Sequence, residues 1–306
     1  MINAGIKHPN GRGQRRGLVW HRMIVRVMGM DNQGVPAGYT MHEGDGSILV
    51  VKSDMAAILK PLMETGFPRL SALPGAQTTT GRAGPVHLAI AGQSQRIFVR
   101  PYAHGGLAGA ALGRSFHSPA RALKELEACA KATSLGLPVP EMLGLTARKV
   151  SRFGWQMEFW SWWIPDSMTF SLCLRKVALS PESRRSLLGT VGSALRTCHE
   201  KGLIHRDLNA RNIIVMQGGN GWNSLVVDLD RASFSGGPLH LGSRLRQLRR
   251  LYRSLAKEGV IPAVMPPEEY LGLLLECLGP DYEDGRMRRF LWGSRTAVLW
   301  HRLFWR

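Results

Sequence analysis

The stretch from His205 to Asp230 constrains this chain more than any other part of it. It opens with HRDLNARN at 205–212. An apolar run from Ile213 to Met216 reads as a strand, a Gly-rich turn follows at 217–222, and a second strand, Leu225 to Val227, ends at Asp228-Leu229-Asp230. A hairpin of this kind returns the chain to its start and brings Asn212 and Asp228 together. A helix with clear boundaries comes before it. Ser180-Pro181-Glu182 is a start signal, Leu187, Val191, Leu195 and Cys198 recur at helical spacing, and Gly202 is a stop. A lone His-Arg-Asp would read as a chance tripeptide; the ordered set behind a capped helix does not.

The rest of the chain divides into strands followed by helices. Ile48 to Val51, Val86 to Ile90 and Arg96 to Arg100 read as strands, with a small-residue turn, TTTGRAG, at 78–84 and a hairpin connection at 91–95. Ser118-Pro119 begins a helix that carries Leu123, Leu126 and Ala130 on one face. Gly136 ends it, and LPVP at 137–140 cannot continue it. Trp155 to Trp163 is rich in aromatics. Beyond Asp230, Leu245, Leu248, Leu251 and Leu255 form a helical stripe, with Arg244, Arg246, Arg249, Arg250, Arg253 and Lys257 around it. Strands first and helices after predict an α+β fold with a small N-terminal sheet lobe and a larger helical lobe.

Composition narrows the function. Lys and Arg number 40 against 22 Asp and Glu, a formal charge of +18. That balance points to nucleic acid, nucleotide phosphates or an anionic membrane as partner. A hydrophobic content of 44% is enough for a core. No stretch approaches the ~18–20 apolar residues of a spanning helix. Arg22 and Arg26 interrupt the N-terminal apolar run, so no secretory h-region is expected. The four cysteines have no C-x-x-C spacing, which argues against a zinc site or a disulfide framework and fits a reducing cytosol. Residues 1–44 are expected to be a basic, disordered extension, unless translation begins later, as at Met41. Residues 45–291 form the expected domain, with lobes at about 45–160 and 161–291, and residues 292–306 a basic aromatic tail.

The 205–230 segment resembles the protein-kinase catalytic loop H-R-D-L-x-x-x-N followed by the metal-binding D-F-G. Asn209 stands where protein kinases usually carry Lys, and Asp230 where they carry Gly. Both departures are closer to the 3-deoxy-D-manno-octulosonic acid (Kdo) kinase family of Gram-negative bacteria, which has D-L-N-x-x-N-I and I-D-F-D-R here; Leu229 replaces that family's aromatic. FVRPY at 98–102 with GGL at 105–107, Arg121 and Glu125 in an R-x-x-x-E pattern, GLPVP at 136–140 and RLYRSLAK at 250–257 resemble further segments of that family. The resemblance runs in order over about residues 45–285.

The resemblance implies a two-lobed protein-kinase-like fold with ATP between the lobes. It implies that Asp207 orients the acceptor hydroxyl and that Asn212 and Asp228 hold Mg²⁺. Arg100 would grip the phosphates in place of the usual Lys, oriented by Glu125; the alternatives on residue type alone are an edge-strand charge and a solvated helix position. Gly81 and Gly84 would form the glycine turn over the phosphates, or an ordinary hairpin turn. Asn209 would contact the acceptor hydroxyl or the metal, and Asp230 a second metal or a loop backbone. His205 reads as packing against the metal loop. The implied reaction is phosphorylation of the Kdo 4-hydroxyl in lipid A-linked inner core. The implied setting is peripheral, on the cytoplasmic face of the inner membrane. The basic helix at 244–257 then faces anionic substrate or solvent, and the aromatic tail lies in the membrane interface or on the helical lobe. A heptose, small-molecule or protein kinase of the same fold, or a non-catalytic basic module, are the alternatives. No specific nucleic-acid motif is present, nor any signal for an oligomeric state.

Overall fold

The computed structural model describes residues 35–44, 46–79, 84–103, 114–152, 154–219 and 221–279. The arm at 1–34, Gly81, the GGL motif at 105–107 and the tail at 292–306 lie outside them.

The N-terminal lobe holds β1 (Tyr39–Gly44), β2 (Ser47–Lys52), α1 (Ala56–Thr65), α2 (Phe67–Leu70), β3 (Gln77–Thr78), β4 (Val86–Ala89), β5 (Arg96–Pro101), α3 (Ala120–Ser134), β6 (Met142–Ser151) and β7 (Gly154–Trp162). After the crossing at 163–166 come β8 (Ser167–Thr169), α4 (Phe170–Lys176), α5 (Pro181–Glu200), β9 (Leu203–Ile204), β10 (Ile213–Gly218), β11 (Gly221–Val226), β12 (Ser233–Phe234), α6 (Leu241–Lys257) and α7 (Pro267–Leu278). This is the expected two-lobed α+β arrangement.

The N-lobe sheet has the order β1-β2-β6-β7-β5-β4-β3, and every neighbouring pair is antiparallel. Side chains alternate across it, as the period of a strand requires. In β2, Leu49 and Val51 enter a core closed by α1 and α2, while Ile48 and Val50 face the core shared with α3. In β5, Ile97 and Val99 enter the first core, so Phe98 and Arg100 turn to the opposite face. This alternation delivers Arg100 to the space between the lobes.

Among the strands outside the sequence expectation, β1 and β6 matter most to the sheet. The sheet begins at Tyr39, inside the segment expected to be an extension. β1 pairs with β2 from Tyr39↔Lys52 to Gly44↔Ser47, and the Tyr39 hydroxyl donates to the Met142 carbonyl at 2.6 Å. Its sequence, YTMHEG, is only half-buried and so lacks a hydrophobic pattern. β6 was not foreseen although it lies near the sheet centre, because Met142 to Ala147 are buried on both faces and show no alternation.

The helical lobe is built on α5. Ser180 caps it by accepting the Ser183 N–H at 3.2 Å, and Leu187, Val191, Leu195 and Cys198 are buried, as their spacing predicts. α7 crosses at Gly192, where a Cβ would stand 2.4 Å from the Glu276 Cβ, so a side chain there would push the helices apart. The Val226 N–H donates to the Pro138 carbonyl at 2.7 Å and joins β11 to the turn after α3.

Candidate active site

The loop at 205–212 is held from within and from α6. His205 is buried; its N–H donates to Gln247 Oε1 at 2.8 Å, and its ring bridges the Val227 carbonyl through Nε2 at 3.0 Å and the Asp207 N–H through Nδ1 at 3.3 Å. A ring that donates at Nε2 and accepts at Nδ1 is neutral. Burial agrees, holding its pKa below the ordinary histidine value despite the opposing pull of the Val227 carbonyl and nearby carboxylates. His205 therefore fixes the spacing between the loop and Asp228. The Asp207 carboxylate is exposed to the cleft, while its carbonyl accepts from both Asn209 Nδ2 and Asn212 Nδ2 at 3.0 Å.

Asn209, expected to contact the acceptor hydroxyl or the metal, is bonded within the loop itself. Its Nδ2 is used on Asp207, and its Oδ1 accepts the N–H groups of Arg211 (2.9 Å) and Asn212 (3.2 Å). Both ends of the side chain bond the loop, with one Nδ2 hydrogen left over, the local pattern that asparagine favours in turns. Asn209 shapes the loop that aims Asp207 and Asn212.

β10 and β11 pair in register from Ile213↔Val226 to Gly218↔Gly221, and the Val227 N–H donates to the Asn212 carbonyl at 2.9 Å. The hairpin thus brings Asn212 beside Asp228. Asp228 has φ +65°, an uncommon conformation for a residue other than glycine and one that concentrates at functional sites. It opens to the cleft, yet desolvation by the walls raises its carboxyl pKa, with Asp230 adding to the push and Arg100 opposing. The donors that remain, the Asn212 amide oxygen and the Asp228 carboxylate, suit Mg²⁺, a hard ion that takes one or two carboxylates, waters and phosphate oxygens. The described residues hold no group of three or more His, Cys, Asp or Glu that could bind a metal. The fit is to a metal shared with a phosphate ligand, not to a protein cage.

On the opposite wall, Arg100 Nη2 donates to Glu125 Oε1 at 2.9 Å, with its guanidinium 5.0 Å from the Phe159 ring centroid. Arg100 is 38% exposed and Glu125 3%, so the acid is withdrawn and the arginine reaches out. Glu125 is pushed up to about 7, by burial first, against the pull of Arg100. Glu125 Oε2 has no partner among the described residues. Asp230 forms an ion pair with Arg121, four residues before Glu125 on α3. Arg121 opens the R-x-x-x-E pattern, which by itself assigns it no role.

These residues line one cleft of about 1540 Å³, whose other walls include Phe159, Trp162 and Ile164 near the crossing and Arg250, Arg253 and Lys257 from α6. Gly84 lies before β4 with φ +57°, beside Pro85 at the cleft edge; Gly81 is outside the described residues.

A cleft between a twisted sheet lobe and a helical lobe, with an Arg–Glu pair above and an Asp/Asn/Asp set below, defines a phosphotransferase of protein-kinase-like fold. The model of the lipopolysaccharide kinase (Kdo/WaaP) family matches residues 102–265, more than half of the chain, and the chain belongs to that family. A 3-deoxy-D-manno-octulosonic acid kinase of Mannheimia succiniciproducens is 27% identical over 175 residues, 54% of this chain and 70% of the relative. One of Pasteurella multocida is 28% identical over 167 residues, 52% of this chain and 65% of the relative. One of Actinobacillus succinogenes is 27% identical over 138 residues, 45% of this chain and 55% of the relative. A solved structure of WaaP in complex with acyl carrier protein aligns with a TM-score of 0.48 and 16% identity, over 82% of this chain and 95% of that one.

Proposed function

We propose that this chain transfers the γ-phosphoryl group of ATP to a hydroxyl of a Kdo sugar, the 4-hydroxyl, in the lipid A-linked inner core. The observation that carries this reading is the convergence of Asp207, Asn212 and Asp228 on one cleft beneath the Arg100–Glu125 pair, in a chain of the Kdo/WaaP family. The relatives named as Kdo kinases supply the acceptor.

Phosphoryl transfer asks the protein for positioning and for charge where the transition state spreads its own. Asp207, exposed at the end of a hydrogen-bonded loop, orients the sugar hydroxyl and takes its proton late. Arg100 offers a planar guanidinium to phosphate oxygens, and Glu125 fixes its direction. Mg²⁺ on Asn212 and Asp228 supplies charge neutralisation for the phosphates when bound. Peripheral attachment to the cytoplasmic face of the inner membrane belongs to the same proposal. It is supported by the charge of +18 and by the tryptophans and arginines at 292–306. No described helix is long and apolar enough to cross a membrane.

The test is a transfer assay with labelled ATP and Kdo-lipid A. Wild type forms product and Asp207→Ala forms none. Product on another sugar but not on Kdo-lipid A would keep the kinase and remove the acceptor. Equal Mg²⁺-dependent binding of an ATP analogue by wild type and Asp228→Ala would refute the metal assignment. Deleting 292–306 should weaken sedimentation with anionic liposomes and leave ATP-analogue binding intact; unchanged sedimentation would sink the membrane role of the tail.

A further inference from the structure

The six basic residues on α6 do not share one role. Arg244 is buried, and its Nε donates to the Leu239 carbonyl at 2.9 Å. Arg246 and Arg249 stay out of the cleft, whereas Arg250, Arg253 and Lys257 line it. We propose that these three form an anion subsite on the acceptor side, taking the carboxylate of the sugar acid whose hydroxyl faces Asp207. The inference rests on the proposed acceptor, since an octulosonic acid carries such a carboxylate.

Position is the first argument. α6 is bolted to the catalytic loop twice: Gln247 Oε1 accepts the His205 N–H at 2.8 Å, and Ser254 Oγ accepts the Ala210 N–H at 3.1 Å. Arg250 stands four residues before Ser254 and Lys257 three after it, so both share the helix face that meets the loop. Leu248, Leu251 and Leu255 fill the buried face. An oxyanion on this surface belongs to the molecule that presents its hydroxyl to Asp207. The phosphate-facing arginine, Arg100, comes from the other lobe.

Charge is the second argument. Three other cleft arginines have acids: Arg100 has Glu125, Arg121 has Asp230 and Arg211 has Glu258, whereas Arg206 and Arg231, which also line the cleft, have none among the described residues. Arg250, Arg253 and Lys257 have no acidic partner among the described residues. They are spaced i, i+3 and i+7, so neighbouring like charges repel along the helix. The helix dipole accounts for Lys257 in the last turn but not for the two arginines. Three cations on one helix face the cleft with no acidic partner among the described residues, the adjacent Glu258 being engaged by Arg211 and Arg175, and such a set is completed by an anion from outside. Two guanidiniums suit a carboxylate, which accepts paired N–H bonds.

The test uses the full chain. Binding of the Kdo monosaccharide and of its carboxyl methyl ester is followed by ligand-observed NMR, and KM for Kdo-lipid A and for ATP is measured separately. Wild type should bind the free acid and not the ester. Arg250→Gln and Arg253→Gln should each raise KM for Kdo-lipid A about tenfold, the loss of one charge-assisted contact, with KM for ATP unchanged. Arg253→Lys should recover part of the effect. Equal binding of acid and ester, or no anion-dependent binding at all, overturns the subsite. So does a rise in KM for ATP that matches the rise for the acceptor. Arginine-dependent KM for Kdo-lipid A without arginine-dependent binding of the monosaccharide overturns the carboxylate and points to the phosphates of lipid A. Carboxylate-dependent Kdo binding with no transfer to Kdo-lipid A keeps the subsite and refutes the proposed acceptor.

Discussion

The two walls of the cleft hold their positive charge in different ways. On the sheet side each arginine faces an acid withdrawn from solvent: Glu125, 3% exposed, holds Arg100, and Asp230, 11% exposed, holds Arg121. On the α6 side Arg250, Arg253 and Lys257 have no acidic partner among the described residues. A paired guanidinium has a fixed direction and a reduced field, while an unpaired one keeps its full field and its freedom. The first arrangement suits a group that must be placed to within a fraction of an ångström, such as phosphate in transfer. The second suits capture and orientation of a charged acceptor arriving from solution or from a membrane.

The largest expected effect lies between the walls and sets the scale. Asp207→Asn preserves the shape of the loop, because the carbonyl of residue 207, not its side chain, receives the two asparagine amides. It should lower kcat by roughly 10²–10⁴, the usual range for loss of a general base, with both KM values little changed. A large rise in acceptor KM instead would make Asp207 a binding group. Next in size is Arg100→Gln. It removes one charged contact worth roughly 1.5–3 kcal/mol in favourable sites, and Arg100 is 38% exposed. About a tenfold loss in kcat/KM for ATP is expected, with acceptor KM unmoved. An equal loss for both substrates would erase the distinction between the walls.

Glu125 gives that wall a pH signature. Its folded pKa, about 7, stands above its ordinary 4.5, chiefly because burial penalises the charge, with Arg100 opposing. The folded protein therefore holds this proton more tightly than the unfolded chain. Stability from this group is full below 4.5 and is lost as pH rises to about 7, by at most about 1.4 kcal/mol per pH unit. Activity has the opposite sign, because the charged form orients Arg100. Glu125→Gln should gain about 2–3 kcal/mol over wild type between pH 5 and pH 8 in urea denaturation. Its kcat/KM for ATP should be lower and should lack the fall that wild type shows below pH 7. A constant stability difference across that range would show that Glu125 is charged throughout.

The lower wall was far more legible in the sequence than the upper one. Asp207, Asn212 and Asp228 lie on one loop and one hairpin, so spacing alone brought them together, and the helix before them carried its own cap and stop. Arg100 and Glu125 were suggested by motif order, but their contact depends on strand alternation in β5 and on how α3 docks. The Arg121–Asp230 pair joins residues 109 apart in sequence, and no local pattern encodes it. The loop bonds of Asn209 were not legible, because its residue type and position point to a ligand, while its side chain bonds the nearest backbone groups. β6 was missed because burial on both faces removes alternation, and α1 because Pro61 inside it reads as a breaker.

The unpaired wall should respond to salt. Screening shortens the reach of exposed charges from about 10 Å at 0.1 M to about 3 Å at 1 M. KM for Kdo-lipid A should therefore rise several-fold over that range, and more steeply than KM for ATP. In Arg250→Gln/Arg253→Gln the acceptor slope should flatten toward that of ATP. Parallel slopes in wild type would mean that the α6 cations do not act on the acceptor at long range.

The smallest effect is expected at Arg121, and it tests whether every acid–arginine pair of the sheet-side wall matters. Arg121 is 49% exposed, so its pair with Asp230 is screened, and pairs of that kind are usually worth about 0.2–1 kcal/mol. Arg121→Gln should therefore cost at most about fivefold in kcat/KM. Asp230 adds to the push on the Asp228 carboxyl, and losing its counter-ion strengthens the negative field around the metal ligands. Mg²⁺ dependence should accordingly shift to lower concentration even as turnover falls. A variant with wild-type turnover and unchanged Mg²⁺ dependence would reduce this pair to a surface contact and leave Arg100–Glu125 as the one functional pair on that wall.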